Sequence, residues 1–169
     1  MIQKFIISML VDNHSGVLTR ISGLIARRGY NIDSLTVCET ENRDYSRMTV
    51  VVRGDNLILT QITAQLSKQI DVKSLRVLDE HLIERELLLV KLEAPAEKRE
   101  QLFEIARIYK AKTIDLSPHS VIFELTGDSE KINAFVEVVK EHNILELART
   151  GSCALQRGDS TLGEKGERL

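Results

Sequence analysis

The chain has 169 residues, 43% of them hydrophobic and 28% charged, with a formal net charge of -2. That is the composition of a globular protein of one domain or two small ones, and it excludes a disordered chain and a nucleic-acid surface built on bulk positive charge. Cys38 and Cys153 stand far apart without a CxxC or ligand-like companions, which reads as two reduced thiols and excludes a disulfide framework or a zinc site.

The first apolar run is short and carries Gln3 and Lys4, so it is neither a signal peptide nor a membrane span, and the protein is expected in the cytoplasm. Within it, KFIISMLV alternates Phe5, Ile7, Met9 and Val11 against Lys4, Ile6, Ser8 and Leu10. A period of two with both faces largely apolar predicts a mostly buried strand. DNHSG, residues 12 to 16, then leads into a helix whose apolar stripe is Val17, Leu18, Ile21, Leu24 and Ile25. Thr19, Arg20, Ser22, Arg27 and Arg28 fill its opposite, solvated face, and Gly29 supplies a stop. NIDSLTVCE and SRMTVVVRG are strands of a hairpin closed by TENRDY, and DNLILTQITAQLSKQ is a helix with Leu59, Ile62 and Leu66 behind an Asp55 or Asn56 cap. DVKSLRVL returns as a strand.

The same order recurs after residue 80, through ELLLVKLE, PAEKREQLFEIARIYK, AKTIDLS, SVIFELTG, DSEKINAFVEVVKEH and NILELARTG. Both VVRGDN and ELTGDS run strand, Gly-Asp, helix. The predicted fold class is therefore α+β, with two tandem ferredoxin-like βαββαβ units, each an antiparallel four-stranded sheet carrying two helices on one face. The expected boundaries are residues 1–78, a linker at 79–85, a second domain at 86–157 and a flexible polar tail at 158–169. Units of this size have thin cores and gain by pairing their sheets, so a homodimer is expected.

Catalysis has little to stand on. His14, His81, His119 and His142 fall in four different elements and read as surface or loop histidines, with no HExxH and no nucleophile triad. The acids of KLEAPAEKREQ and ERE read as solvated strand and helix ends. There is no Walker lysine loop, no thiamine-diphosphate pattern and no metal-ligand spacing. The chain reads as non-catalytic.

DNHSG admits two readings. In the plainer one Asn13 or Ser15 caps the helix and Gly16 sits in its first turn. In the functional one, Gly16 leaves the first N–H groups of the helix open to a small carboxylate beside a partial positive charge, and Asn13 adds an amide. Asn31 follows on the return strand, which leads to the sheet edge where a second copy would pair, and could hold an amino acid's ammonium or carboxylate.

MLVDNHSGVLTRISGLIARRGYNIDSLTV and SRMTVVV, followed by DVKSLRVLDEHLIERELLLVKLEA, IDLSPHSVIFELTG and NILELARTGSCALQRGD, resemble the small regulatory subunits of acetolactate synthase, also called acetohydroxyacid synthase, over nearly the whole chain. The RRGYNIDSLTV stretch with SRMT after a short loop carries most of the likeness. The resemblance implies an N-terminal ACT domain and a C-terminal ACT-like domain. It implies a homodimer that activates a large catalytic subunit and confers valine feedback inhibition in branched-chain amino acid synthesis. Thiamine diphosphate, Mg2+ and FAD would sit on that partner and no cofactor on this chain. Asn13 and Gly16 match the family's effector loop and Asn31 its facing asparagine, with His14, Ser15, Val17 and Ile32 as neighbours and Leu35 a possible apolar contact. A free-standing amino-acid-binding ACT module is the alternative. An RNA-binding module of the same topology fits poorly, because SLTVCE and SRMTVVV offer no aromatic residues on which bases could stack.

Overall fold

A computed structural model describes residues 2–28 and 30–163. The helix stop assigned to Gly29 and the last six residues of the expected tail lie outside that range. The first half runs β1 (Gln3–Asp12), α1 (Val17–Arg27), β2 (Ile32–Glu39), β3 (Tyr45–Gly54), α2 (Asn56–Leu66) and β4 (Val72–Val77). The second runs β5 (Leu82–Glu93), α3 (Arg99–Tyr109), β6 (Lys112–Leu116), β7 (Ser120–Gly127), α4 (Ser129–Val139) and β8 (Ile144–Arg149), with a short β9 (Cys153–Gln156) after it. The sheets are antiparallel, ordered β2-β3-β1-β4 and β6-β7-β5-β8, so the βαββαβ plan occurs twice, as expected, but the second sheet has five strands instead of four because β9 also pairs with β5. Among the described residues no helix is long and apolar enough to cross a membrane.

In the first unit the alternation of β1 decides the core. Ile7, Met9 and Val11 turn toward the helices and pack with Val17, Ile21, Ile25, Met48, Val50, Val52, Ile62 and Leu66. The second core is built the same way from Leu88, Val90, Leu92, Val121, Phe123 and Leu125 against Leu102, Ile132, Phe135 and Val139. There Phe135 meets Tyr109 and Phe123 edge-on, with ring centroids 5.2 and 6.4 Å apart.

The repeated Gly-Asp pairs have one physical cause. Asp55 accepts from the Ile58 N–H at 2.9 Å and Asp128 from the Lys131 N–H at 2.8 Å, so each aspartate caps the helix that follows its strand. A Cβ on Gly54 would come within 2.7 Å of Ile58 Cγ2, and one on Gly127 within 2.7 Å of Lys131 Cδ. At Gly54 the branched Ile58 side chain, with its Cβ also only 3.0 Å away, leaves little room for anything but glycine, whereas at Gly127 the nearest atom belongs to the flexible Lys131 stem, which can shift.

The domain boundaries differ from expectation. The two compact units are 1–83 together with 152–169, and 84–151. Residues 82–85, expected in a linker, already belong to β5. Residues 152–157, expected in the second domain, return to the first. Ser152 N–H donates to Ser34 Oγ at 2.9 Å, Gln156 Nε2 to Asp79 Oδ1 at 2.5 Å, and the Arg157 N–H to the His81 carbonyl at 3.0 Å. Ala154, 1% exposed, packs with Ile6, Val51, Leu78 and Leu82. The reason lies in the face of the first sheet that the helices leave open: Ile6 and Val51 are apolar there and need cover. The start of the expected flexible tail is also tied down, since Arg76 donates to Ser160 Oγ at 3.0 Å and to the Thr161 carbonyl at 3.4 Å.

Ala154→Asp would place an uncompensated carboxylate in this covered layer and is expected to lower stability by about 3 kcal/mol, whereas Leu155→Ser, on the 54% exposed neighbour, should change it by no more than about 0.5 kcal/mol. Urea denaturation midpoints of the two variants check the contrast.

Candidate functional site

The loop between β1 and α1 has the geometry of an opened helix start. Gly16 is the N-cap residue of α1, at φ 87 and ψ -13, and no side chain hydrogen-bonds into the cap. The plainer expectation is thereby corrected: neither Asn13 nor Ser15 caps the helix, and Gly16 precedes its first turn instead of lying in it. A left-handed N-cap favours glycine, and with no side chain there the first N–H groups of α1 lack the carboxylate cover that Asp55 and Asp128 give α2 and α4.

Asn13 is a tie for this loop. Its backbone N–H donates to the Asp44 carbonyl at 2.8 Å, and its Nδ2 donates to the Arg43 carbonyl at 2.8 Å and lies 3.4 Å from Glu39 Oε2. Its Oδ1 accepts from the Ser46 hydroxyl at 2.9 Å. The amide thus fastens the β1–α1 loop to the β2–β3 hairpin. Val17 is 3% exposed and belongs to the core, and Ile32 and Leu35 pack against that core. His14 and Ser15 are exposed, with His14 Nδ1 3.3 Å from the Ser15 carbonyl.

Asn31 is elsewhere in the protomer. It is exposed just before β2, and its Nδ2 donates to Asp33 Oδ1 at 2.9 Å, while Asp33 Oδ2 takes Arg53 Nε at 2.5 Å. Ile32 pairs with Val52, whereas Glu39 pairs with Ser46 beside Asn13. The two asparagines therefore lie at opposite ends of β2, roughly 23 Å apart by strand rise. One chain brings Asn13 and Gly16 together and leaves Asn31 out.

Charged groups that the sequence does not single out surround the loop. Asp71, 4% exposed, takes Arg20 Nε on Oδ2 at 2.8 Å and Arg20 Nη2 on Oδ1 at 3.0 Å, with His14 Nε2 3.4 Å from Oδ1. Its carbonyl accepts the Asp12 N–H at 2.9 Å, and Lys73 Nζ is 2.7 Å from Asp12 Oδ2. The Arg20 hydrogen bond holds the Asp71 carboxyl below its ordinary value near 3.8 against the opposing effect of burial, with Arg20, His14 and Lys73 adding electrostatic help. Asp12, His14 and Asp71 offer ligand atoms within 4.8 Å of one another, but the two carboxylates already carry Lys73 and Arg20, and no metal is assigned there.

Two further expectations are corrected in the second unit. Glu86 of the ERE stretch is 4% exposed and is no solvated strand end: it pairs with Arg149 Nε, and the Ser129 hydroxyl lies 2.5 Å from its Oε1. His142 is buried, at 7% exposure, where a surface histidine was expected. Both cysteines are free and exposed.

Because the Asp71 carboxyl is held low, its ionised form stabilises the fold above the ordinary carboxylate value, and that contribution is lost as pH falls through the depressed value. Asp71→Asn should flatten the acid limb of the melting temperature plotted against pH from about 5 downward through the ordinary value near 3.8, and an unchanged limb would show that the pair contributes nothing.

Residues 7–74 match the family model described as the AHAS small subunit-like ACT domain, and residues 85–158 match the one described as the small subunit of acetolactate synthase. The chain is 46% identical over 156 residues to the probable acetolactate synthase small subunit of Archaeoglobus fulgidus, covering 92% of this chain and 98% of that one. It is 42% identical to the acetolactate synthase small subunit of Aquifex aeolicus, covering 98% and 88%. The crystal structure of the acetolactate synthase small subunit from Thermotoga maritima superposes with a TM-score of 0.86 at 35% identity, covering 94% and 99%. Two family models that together take up most of the chain, and relatives matched along nearly all of it, lead to one conclusion: this chain belongs to the acetolactate synthase small-subunit family.

Proposed function

We propose that the chain is the regulatory subunit of acetolactate synthase, that it activates a large catalytic subunit, and that it confers feedback inhibition by valine. The observation that carries the effector site is the uncapped start of α1 at Gly16, held open beside a loop that Asn13 pins in place. An amino acid's carboxylate is the natural occupant of such a helix start. Thiamine diphosphate, Mg2+ and FAD belong to the catalytic partner, and this chain contributes no reacting group.

Asn31 enters through a second copy. β2 is an edge strand of its sheet, so two copies can pair along it. An antiparallel arrangement about a two-fold axis sets the Asn31 end of one β2 against the Asn13 end of the other. Each effector then lies between the Gly16 loop of one protomer and Asn31 of the partner subunit. Val17, being core, supports the loop from beneath and makes no separate binding contribution.

Adding the chain to the purified catalytic subunit should raise acetolactate formation, and valine should reverse the rise. Gly16→Asp should retain the activation and lose the inhibition, because its carboxylate takes the effector's place; its left-handed φ adds a fold cost of about 1–2 kcal/mol that Gly16→Ala shares. Loss of an effector coupling of about 1–3 kcal/mol is enough to erase feedback. A chain that neither co-purifies with the catalytic subunit nor changes its rate would instead be a free-standing amino-acid-binding module. The shared site has its own test by calorimetry. Asn13→Ala and Asn31→Ala should each weaken valine binding, yet an equimolar mixture that exchanges subunits freely should restore roughly a quarter of all sites to parental affinity.

A further inference from the structure

Arg20 sits in the first turns of α1, where a cation opposes the helix dipole and where helices commonly carry acids. Asp71, nearly buried and 51 residues away, compensates it. The geometry of that compensation is one-sided. Asp71 occupies Nε and Nη2 of the guanidinium, and among the described residues Nη1 has no hydrogen-bond partner. Nη1 points toward Gly16: a Cβ built on that glycine would lie 3.1 Å from it. The side chain as a whole is 48% exposed, and its unpaired Nη1 lies beside the uncapped helix start.

We propose that Arg20 binds the carboxylate of the effector amino acid through Nη1, beside Gly16, and that Asp71 is the positioning residue that holds the guanidinium edge in place. This rests on the effector-site reading above and adds to it the side chain that selects the ligand's charge. An ionised carboxylate accepts from a guanidinium far better than from a neutral amide donor. Gly16 leaves room for that contact, and Asp71 spares the arginine much of the ordering that a free side chain would undergo on binding. The ligand class that fits is an α-amino acid with a free carboxylate, and the site should reject the corresponding amide.

Calorimetric titration of the full chain with valine and with valinamide tests this on the parent and on Arg20→Met, Arg20→Lys, Asp71→Asn and Gly16→Asp, with melting by circular dichroism as a check on folding. The parent should prefer valine strongly. Arg20→Met should bind valine about 10- to 100-fold more weakly, and its preference for valine over valinamide should collapse toward unity. Arg20→Lys should keep part of the preference, having the charge without the fork. Asp71→Asn should reduce the preference without abolishing it, a change that a merely structural residue would not produce. Should Arg20→Met alone unfold because Asp71 is left unpaired, the double variant with Asp71→Asn removes both charges and keeps the comparison readable. Valine bound by Arg20→Met with parental affinity, or with the parental valine-to-valinamide ratio, overturns the assignment to Arg20 while leaving the effector site standing. A parent that binds no valine, or a Gly16→Asp variant that binds it as tightly as the parent, overturns the effector site and this assignment with it.

Discussion

A carboxylate out of reach of water needs a partner of opposite charge, and at one end of the first sheet Asp71 finds it in Arg20. The pair does more than neutralise itself. Its two hydrogen bonds join the start of β4 to the first helix, and the Asp71 carbonyl takes the N–H of Asp12 at the end of β1. Asn13 carries the connection on to the hairpin through Arg43, Asp44 and Ser46. Three separate connections of the chain are thereby locked together around a loop that would otherwise be five small or polar residues with several conformations. A loop ordered in advance loses little entropy when it takes a ligand.

The second unit shows how the same plan can be closed. Its first strand also feeds a helix, but the junction runs through Ala94, Pro95 and a short 3-10 turn before α3, with no glycine in a left-handed conformation. There Arg99 folds back, and its guanidinium donates to the carbonyls of Ala94, Ser117 and Pro118. An arginine near the start of the first helix thus serves opposite ends in the two units. In one its outer edge is free beside a glycine, and in the other it is absorbed by the backbone.

What could be read from the sequence was what local chemistry determines. The strand of KFIISMLV, most of the stripe of α1 and the aspartate caps after each Gly-Asp pair depend on neighbours within a few residues and appear where periodicity puts them, except that Leu18, expected on the stripe, is 44% exposed while Val17, Ile21 and Ile25 are buried. Gly16 was legible as special because no ordinary helix start needs five polar residues before it. Arg20 looked like part of a solvated face, since its partner is 51 residues away and only the sheet order brings β4 beside β1. Glu86 misled for the same reason, because Arg149 reaches it across the pairing of β5 with β8. Val17 could be placed on the apolar stripe, but whether that stripe met core or ligand was a question of layers, which the spacing of residues along one helix does not answer.

The return of residues 152–157 to the first unit makes that unit discontinuous, with the whole of 84–151 inserted in it. Synthesis runs from the N-terminus, so Ile6 and Val51 leave the ribosome long before Ala154, the residue that covers them. At ~5–20 residues per second the interval is several seconds, ample time for local folding elsewhere in the chain. The inserted unit is contiguous, and the four strands β6-β7-β5-β8 of its βαββαβ plan are all made by Arg149. The order in which the two units are completed during translation is therefore the reverse of the order in which they begin.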